Sequence, residues 1–166
     1  MSSFDETMLK RLKSLEREVE RLKVKESPGA WANWTPTWTA KTTNPTIGNG
    51  TLAGNYFLVG KMCTMYLYLL FGSTTDSGTG NWEFTLPFTS GAIQGYIAGN
   101  GYIADYGTPR KYYQAIPLMQ SSQTKITQYL WAIPETDQYV LNATTPVTWS
   151  GTNTTRMAIT LTYPIA

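Results

Sequence analysis

A chain of 166 residues has room for one ordinary domain and an appendage. Its formal charge of +2 lacks the strong basic excess of nucleic-acid and anionic-membrane binders, so neither partner is expected. There is no histidine, which removes His-based triads and the commonest metal ligand. The single cysteine, Cys63, excludes an intrachain disulfide and a thiolate metal cluster, so no cofactor is expected.

The charges are unevenly placed. Thirteen of the 24 charged residues fall within positions 1–26, and the remaining 140 residues carry only 11, about 8%, where a typical soluble domain has roughly 25%. Three segments follow: a helix over 1–26, a linker over 27–30 and a β-rich head over 31–166.

In the helix, Met8, Leu12, Leu15, Val19 and Leu22 recur at heptad spacing. With Leu12 and Val19 at position a, and Met8, Leu15 and Leu22 at d, Arg11 and Glu18 occupy g while Glu16 and Lys23 occupy e. In a parallel coiled coil g faces the following e of the neighbouring chain, so Arg11 meets Glu16 and Glu18 meets Lys23, both attractively. A lone helix this short is marginal in water, and association supplies the missing burial; a helix folded back on its own head is the alternative. Arg11, Leu12, Leu15 and Glu16 spell R-h-x-x-h-E, which resembles the short trimerisation signature of parallel three-stranded coiled coils. There the Arg stem lies across the apolar seam and its guanidinium reaches a neighbouring carboxylate. The resemblance implies a homotrimer. Ser27-Pro28-Gly29 stops the helix near Glu26.

From Trp31 onward the period changes to two. Cys63, Met65, Leu67, Leu69 and Phe71 alternate with Thr64, Tyr66 and Tyr68, which predicts a half-buried strand over 61–71 with an inert buried thiol in it. Trp82, Phe84 and Leu86 alternate with Asn81, Glu83 and Thr85, and Met157, Ile159, Leu161 and Tyr163 alternate with Arg156, Ala158, Thr160 and Thr162. Shorter strands are expected near 51–59, 92–98, 101–106, 112–119, 125–132 and 138–142, separated by Gly, Pro, Asn and Ser clusters. Many short strands at this spacing predict a mainly β fold, an antiparallel sandwich or jelly-roll-like head behind a parallel coiled-coil helix. The longest apolar run, MYLYLLF at 65–71, is far below the roughly 20 residues of a membrane helix, and the polar N-terminus lacks a signal-peptide core, so no membrane insertion is expected.

The run WTPTWTAKTTNPTIGNGTLAGNYFLVGK at 34–61, the strand ending in FGSTTDSGTG at 71–80 and NWEFTLP at 81–87 together resemble the C-terminal β-domain of bacteriophage minor tail, tail-fibre and receptor-binding proteins. The resemblance covers residues 31–90. It implies a homotrimer made in the host cytoplasm and assembled with other virion proteins on the particle, where such domains contact host surface polysaccharide. The alternative is a structural trimer without a ligand, a head fibre, capsid decoration or tail-tip component; a polysaccharide depolymerase ranks below both.

No enzymatic machinery is legible. A glycosidase needs two carboxylates roughly 5 to 10 Å apart, and the head offers Asp76, Glu83, Asp105, Glu135 and Asp137, of which the last two sit in a PETDQ turn. Sugar recognition needs exposed aromatic faces edged with polar groups. GYIADYGTPRKYY at 101–113 places Tyr102, Asp105, Tyr106, Arg110, Lys111 and Tyr112 around a Gly-Thr-Pro turn, with the head's only adjacent basic pair. A hairpin with ordinary cross-strand tyrosine packing is the competing reading. Trp31, Trp34 and Trp38, beside the linker, are expected to pack where the three chains diverge.

Overall fold

The computed structural model describes residues 8–17, 29–130, 141–152 and 154–166. Residues 8–17 are helical, and Met8, Leu12 and Leu15 lie exposed along the helix of the single chain. Glu18, Val19, Leu22 and Lys23, the second half of the expected seam, lie outside the described residues, as do Glu135 and Asp137.

The head is built from β1 (Ala32–Trp34), β2 (Trp38–Ala40), β3 (Thr51–Val59), β4 (Met62–Leu70), β5 (Trp82–Thr85), β6 (Ile97–Ala98), β7 (Asn100–Asp105), β8 (Lys111–Met119), β9 (Lys125–Ile126), β10 (Gln128–Leu130) and β11 (Arg156–Pro164). Every strand pairing among them is antiparallel. The larger sheet runs β1-β3-β4-β11-β7-β8-β10 with β6 also on β8, and the smaller runs β2-β5-β9. This two-sheet layering agrees with the mainly β, antiparallel expectation.

Strand alternation fixes which face is covered. Cys63, Met65, Leu67 and Leu69 of β4 and Met157, Ile159, Leu161 and Tyr163 of β11 are all buried, and the register sets Leu67 opposite Ile159 and Cys63 opposite Tyr163. Burial raises the titration of the Cys63 thiol, as an inert core cysteine requires. Against this layer the small sheet presents Trp38, Trp82, Phe84 and Ile126, and Leu141, Val147 and Trp149 close the core. The rings interlock: Trp38 meets Trp82 edge-on with centroids 4.8 Å apart, and Trp149 lies 5.2 Å from Phe71 and 4.9 Å from Trp82. Such pairs add roughly 0.5–1.5 kcal/mol each beyond area burial.

Several expectations are corrected. β1 and β2 are three-residue strands that the Trp-Thr-Pro punctuation concealed. The strand placed at 92–98 contracts to Ile97–Ala98. The strand placed at 125–132 is two strands, because the chain leaves the small sheet after Ile126 and joins β8 of the large sheet from Gln128. At 138–142 only Leu141 and Asn142 are described; Leu141 is a core residue and Asn142 makes an isolated bridge to Thr145. Trp38 belongs to the head's own core. Trp34 lies over Gly54, whose absent Cβ would come 2.1 Å from the indole, so only Trp31 of the three is left exposed.

The outward face of the small sheet carries one buried acid. Glu83 receives Lys41 at 2.5 Å on one carboxylate oxygen and Lys125 at 3.0 Å on the other. These two ammonium hydrogen bonds, Lys41 first, hold the Glu83 carboxyl below the ordinary carboxylate value near 4.5. A lowered folded-state value means the stabilisation is present above about pH 4.5 and is lost as pH falls below it. Glu83→Gln is therefore expected to lower the unfolding free energy by about 1–3 kcal/mol at neutral pH. In urea titrations the gap between variant and parent should narrow by pH 3.

Candidate functional site

The antiparallel register gives the large sheet two distinguishable ends. The chain joins it at Gly29, which lies against the backbone of Leu58 near the end where Val59, Met62 and Pro164 align. We call this the stem end. Thr51, Leu70, Arg156, Ala104 and Tyr112 align at the opposite end. Eight residue steps along β3 separate the two rows, about 27 Å at strand rise. Beyond the second row the β7–β8 hairpin, 105–111, turns over; this is the distal tip.

The tip collects most of the aromatic and basic residues singled out from sequence. The Arg156 guanidinium lies 4.3 Å from the centre of the Tyr106 ring and that of Arg110 lies 5.1 Å from it, while Tyr112 packs against the same ring edge-on at 6.0 Å. A hydrogen bond to Tyr106 is the leading cause that pushes the Tyr112 hydroxyl above its ordinary titration. Tyr112 is 63% exposed, and Arg110 and Lys111 are exposed as well. A cation stacked on an aromatic ring is held in a fixed plane at a gain of roughly 0.5–2 kcal/mol, so the tip is preorganised.

Two of the six residues expected there have other employment. Asp105 is buried, and its Oδ1 accepts the backbone N–H of Gly107 at 3.1 Å, so its carboxylate shapes the turn. Tyr102 pairs with Gln114 and Ala158 on the outward face, inboard of the tip, where it neighbours Tyr66. Arg156 is the residue that sequence reasoning missed. Its place as the outward member of an alternating strand was visible, but not the β11–β7 pairing that carries it beside Tyr106.

A second surface lies on the outward face. Trp31, Asn55, Thr64, Tyr66 and Thr160 line a shallow depression of about 440 Å³ without a charged side chain. Its polar groups are largely engaged with each other or with neighbours: Asn55 donates to Asn33 at 2.7 Å, and the Thr64 and Thr162 hydroxyls lie 2.9 Å apart. Trp31, Val59 and Met62 leave an exposed apolar set at the stem end. Of the carboxylates weighed for hydrolysis, Asp76 accepts the Gly78 N–H at 2.9 Å and Glu83 is committed to its two lysines.

The sequence is 31% identical over 122 residues to the Mu-like prophage FluMu defective tail fiber protein of Haemophilus influenzae, a match that covers 74% of this chain. Over this stretch the chain is similar to part of a tail fibre protein. It spans only 18% of that relative's length, so the likeness concerns one part of a much longer protein. No family model matches the sequence, and no solved structure matches it.

The tip geometry sets an expectation for stability. Tyr106→Leu removes the ring on which both guanidiniums stack and should cost about 1–2 kcal/mol. Tyr112→Ala, at an exposed edge, should shift the midpoint of a urea titration much less than Tyr106→Leu does.

Proposed function

We propose that this chain is a virion tail component that forms a parallel homotrimer through its leading helix and uses the distal tips of its three heads to contact host surface polysaccharide. The observation that carries the reading is the placement of the aromatic and basic cluster at the end of the large sheet opposite the end where Gly29 lies against Leu58. A stem that gathers three chains at one end leaves the other end free to meet a surface. The likeness to part of a tail fibre protein supports the virion assignment.

Trimerisation draws support from two apolar surfaces. Met8, Leu12 and Leu15 stand exposed on the helix, and Trp31, Val59 and Met62 stand exposed at the end of the head where Gly29 lies. Exposed apolar side chains grouped along a chain's own path are suited to burial against identical copies, which present the same groups at the same height. Three sites on one stem then act together, and linked binding raises apparent affinity by roughly 100- to 10,000-fold without a new contact. The head itself acts as a binding module rather than an enzyme.

Light scattering should return three times the 18.5 kDa chain mass, about 55 kDa, for the closed cyclic trimer. Leu12→Asp combined with Leu15→Asp should reduce this to the single-chain mass and lower adsorption to host cells by about 100-fold or more. A parent protein of single-chain mass at micromolar concentration defeats the trimer, and equal adsorption by parent and variant defeats the multivalent contact.

A further inference from the structure

The head beyond the linker holds six basic residues, Lys41, Lys61, Arg110, Lys111, Lys125 and Arg156. Lys41 and Lys125 are taken by Glu83. Of the other four, three gather at the distal tip, and among the described residues no carboxylate lies within ion-pair distance of them. Asp105 stands opposite Lys111 in the register but is buried and gives its Oδ1 to the backbone of its own turn. Among the described residues of a head so poor in charge, this is the largest concentration of cations without an ion pair.

The arrangement within the tip is more specific than a basic patch. Two guanidiniums lie within 5.1 Å of the centre of one tyrosine ring. The Nε of Arg156 is buried without a hydrogen-bond partner, a donor that is costly to leave unmatched. Arg110, exposed beside the Tyr106 ring, offers guanidinium N–H groups for the two-point contact that carboxylate and phosphate oxygens accept. Tyr112 offers an exposed ring beside them, of the kind against which a sugar face packs.

We infer that the tip recognises an anionic glycan, with a sugar carboxylate or phosphodiester held by the exposed Arg110 and Lys111 beside Arg156 and an adjoining sugar ring laid on Tyr112. The inference rests on the receptor-contact reading and adds the charge class of the ligand. The uncharged depression beside Trp31 has no part in it. A neutral polymer would leave both guanidiniums unanswered.

The test is adsorption of the full-length protein to host cells, with soluble competitors: polygalacturonate for the carboxylate, poly(glycerol phosphate) for the phosphodiester and dextran as the neutral control. One polyanion should compete, identifying the source of the charge, and dextran should not. Arg110→Gln combined with Lys111→Gln, both exposed positions, should keep the parent melting temperature and lose about tenfold or more in adsorption. Arg156→Lys keeps the charge but not the planar edge, and should also weaken adsorption while retaining the parent's dependence on salt, which the double variant should make shallower. Equal competition by dextran, failure of both polyanions, or parent-like adsorption by the double variant overturns the anionic assignment while leaving a receptor contact in place. A trimeric parent that does not adsorb at all overturns the receptor reading itself.

Discussion

The aromatic wedge between the two sheets is the constraint on which the rest of the head depends. The small sheet has only nine residues in three strands, too little backbone pairing to stand alone. Trp38, Trp82 and Phe84 convert it into a lid by locking onto Phe71 and Trp149, which belong to segments leaving the large sheet and approaching it. The Trp82 indole N–H donates to the Ser77 carbonyl at 2.9 Å and its backbone N–H to that of Leu141 at 2.9 Å, so one residue fixes two loops as well as the ring cluster. Few hydrophobic side chains are needed when each is this large. The thinness of the small sheet explains why the head can be so short and still cover one face of eight strands.

Covering one face leaves the other, and the outward face of the large sheet is where this chain differs from an ordinary soluble domain. Alternation puts Thr64, Tyr66, Thr160 and Thr162 there instead of lysines and glutamates. Cross-strand pairing of hydroxyls and amides keeps such a face wettable without charge. The long strands β3, β4 and β11 then serve as a rigid spacer between the stem end and the tip. Because antiparallel register is fixed by burial of the inner face, the separation of the two ends follows from the same alternation that builds the core.

That alternation was legible where a strand is long and lies against the core throughout. The 61–71 expectation became Met62–Leu70, and the final strand was read nearly to its ends. It failed where local pattern and sheet membership part company. Lys125 to Leu130 reads as one continuous strand, yet the chain changes sheets at Thr127, and nothing in a two-residue period records which sheet a residue joins. At 92–98 the apolar residues suggested a strand, but Gly95 adopts a positive φ of 73° and only the last two residues reach β8. The tip was half legible for the same reason. Tyr106, Arg110 and Tyr112 lie close in sequence and were found together, whereas Arg156 reaches them only through the pairing of β11 with β7. Asp105 turns its carboxylate to the Gly107 N–H, and a carboxylate two residues before a glycine serves turns as readily as ligands.

The scarcity of charge lets most of the described charged side chains of the head be assigned a definite contact. Asp76 and Asp105 shape turns through backbone N–H groups, and Glu83 bridges β2 and β9 by way of Lys41 and Lys125. In a surface of ordinary charge density, a basic cluster at a hairpin would be one solvated patch among many and would carry little meaning. Here the background is nearly neutral, and among the described residues no ion pair neighbours the tip. A weak electrostatic site in such a background can orient an approaching polyanion over a distance of about a Debye length. The uncharged flanks make no competing contacts with it. On this reading, the depletion of charge elsewhere in the head makes three cations at the distal end distinguishable to a ligand.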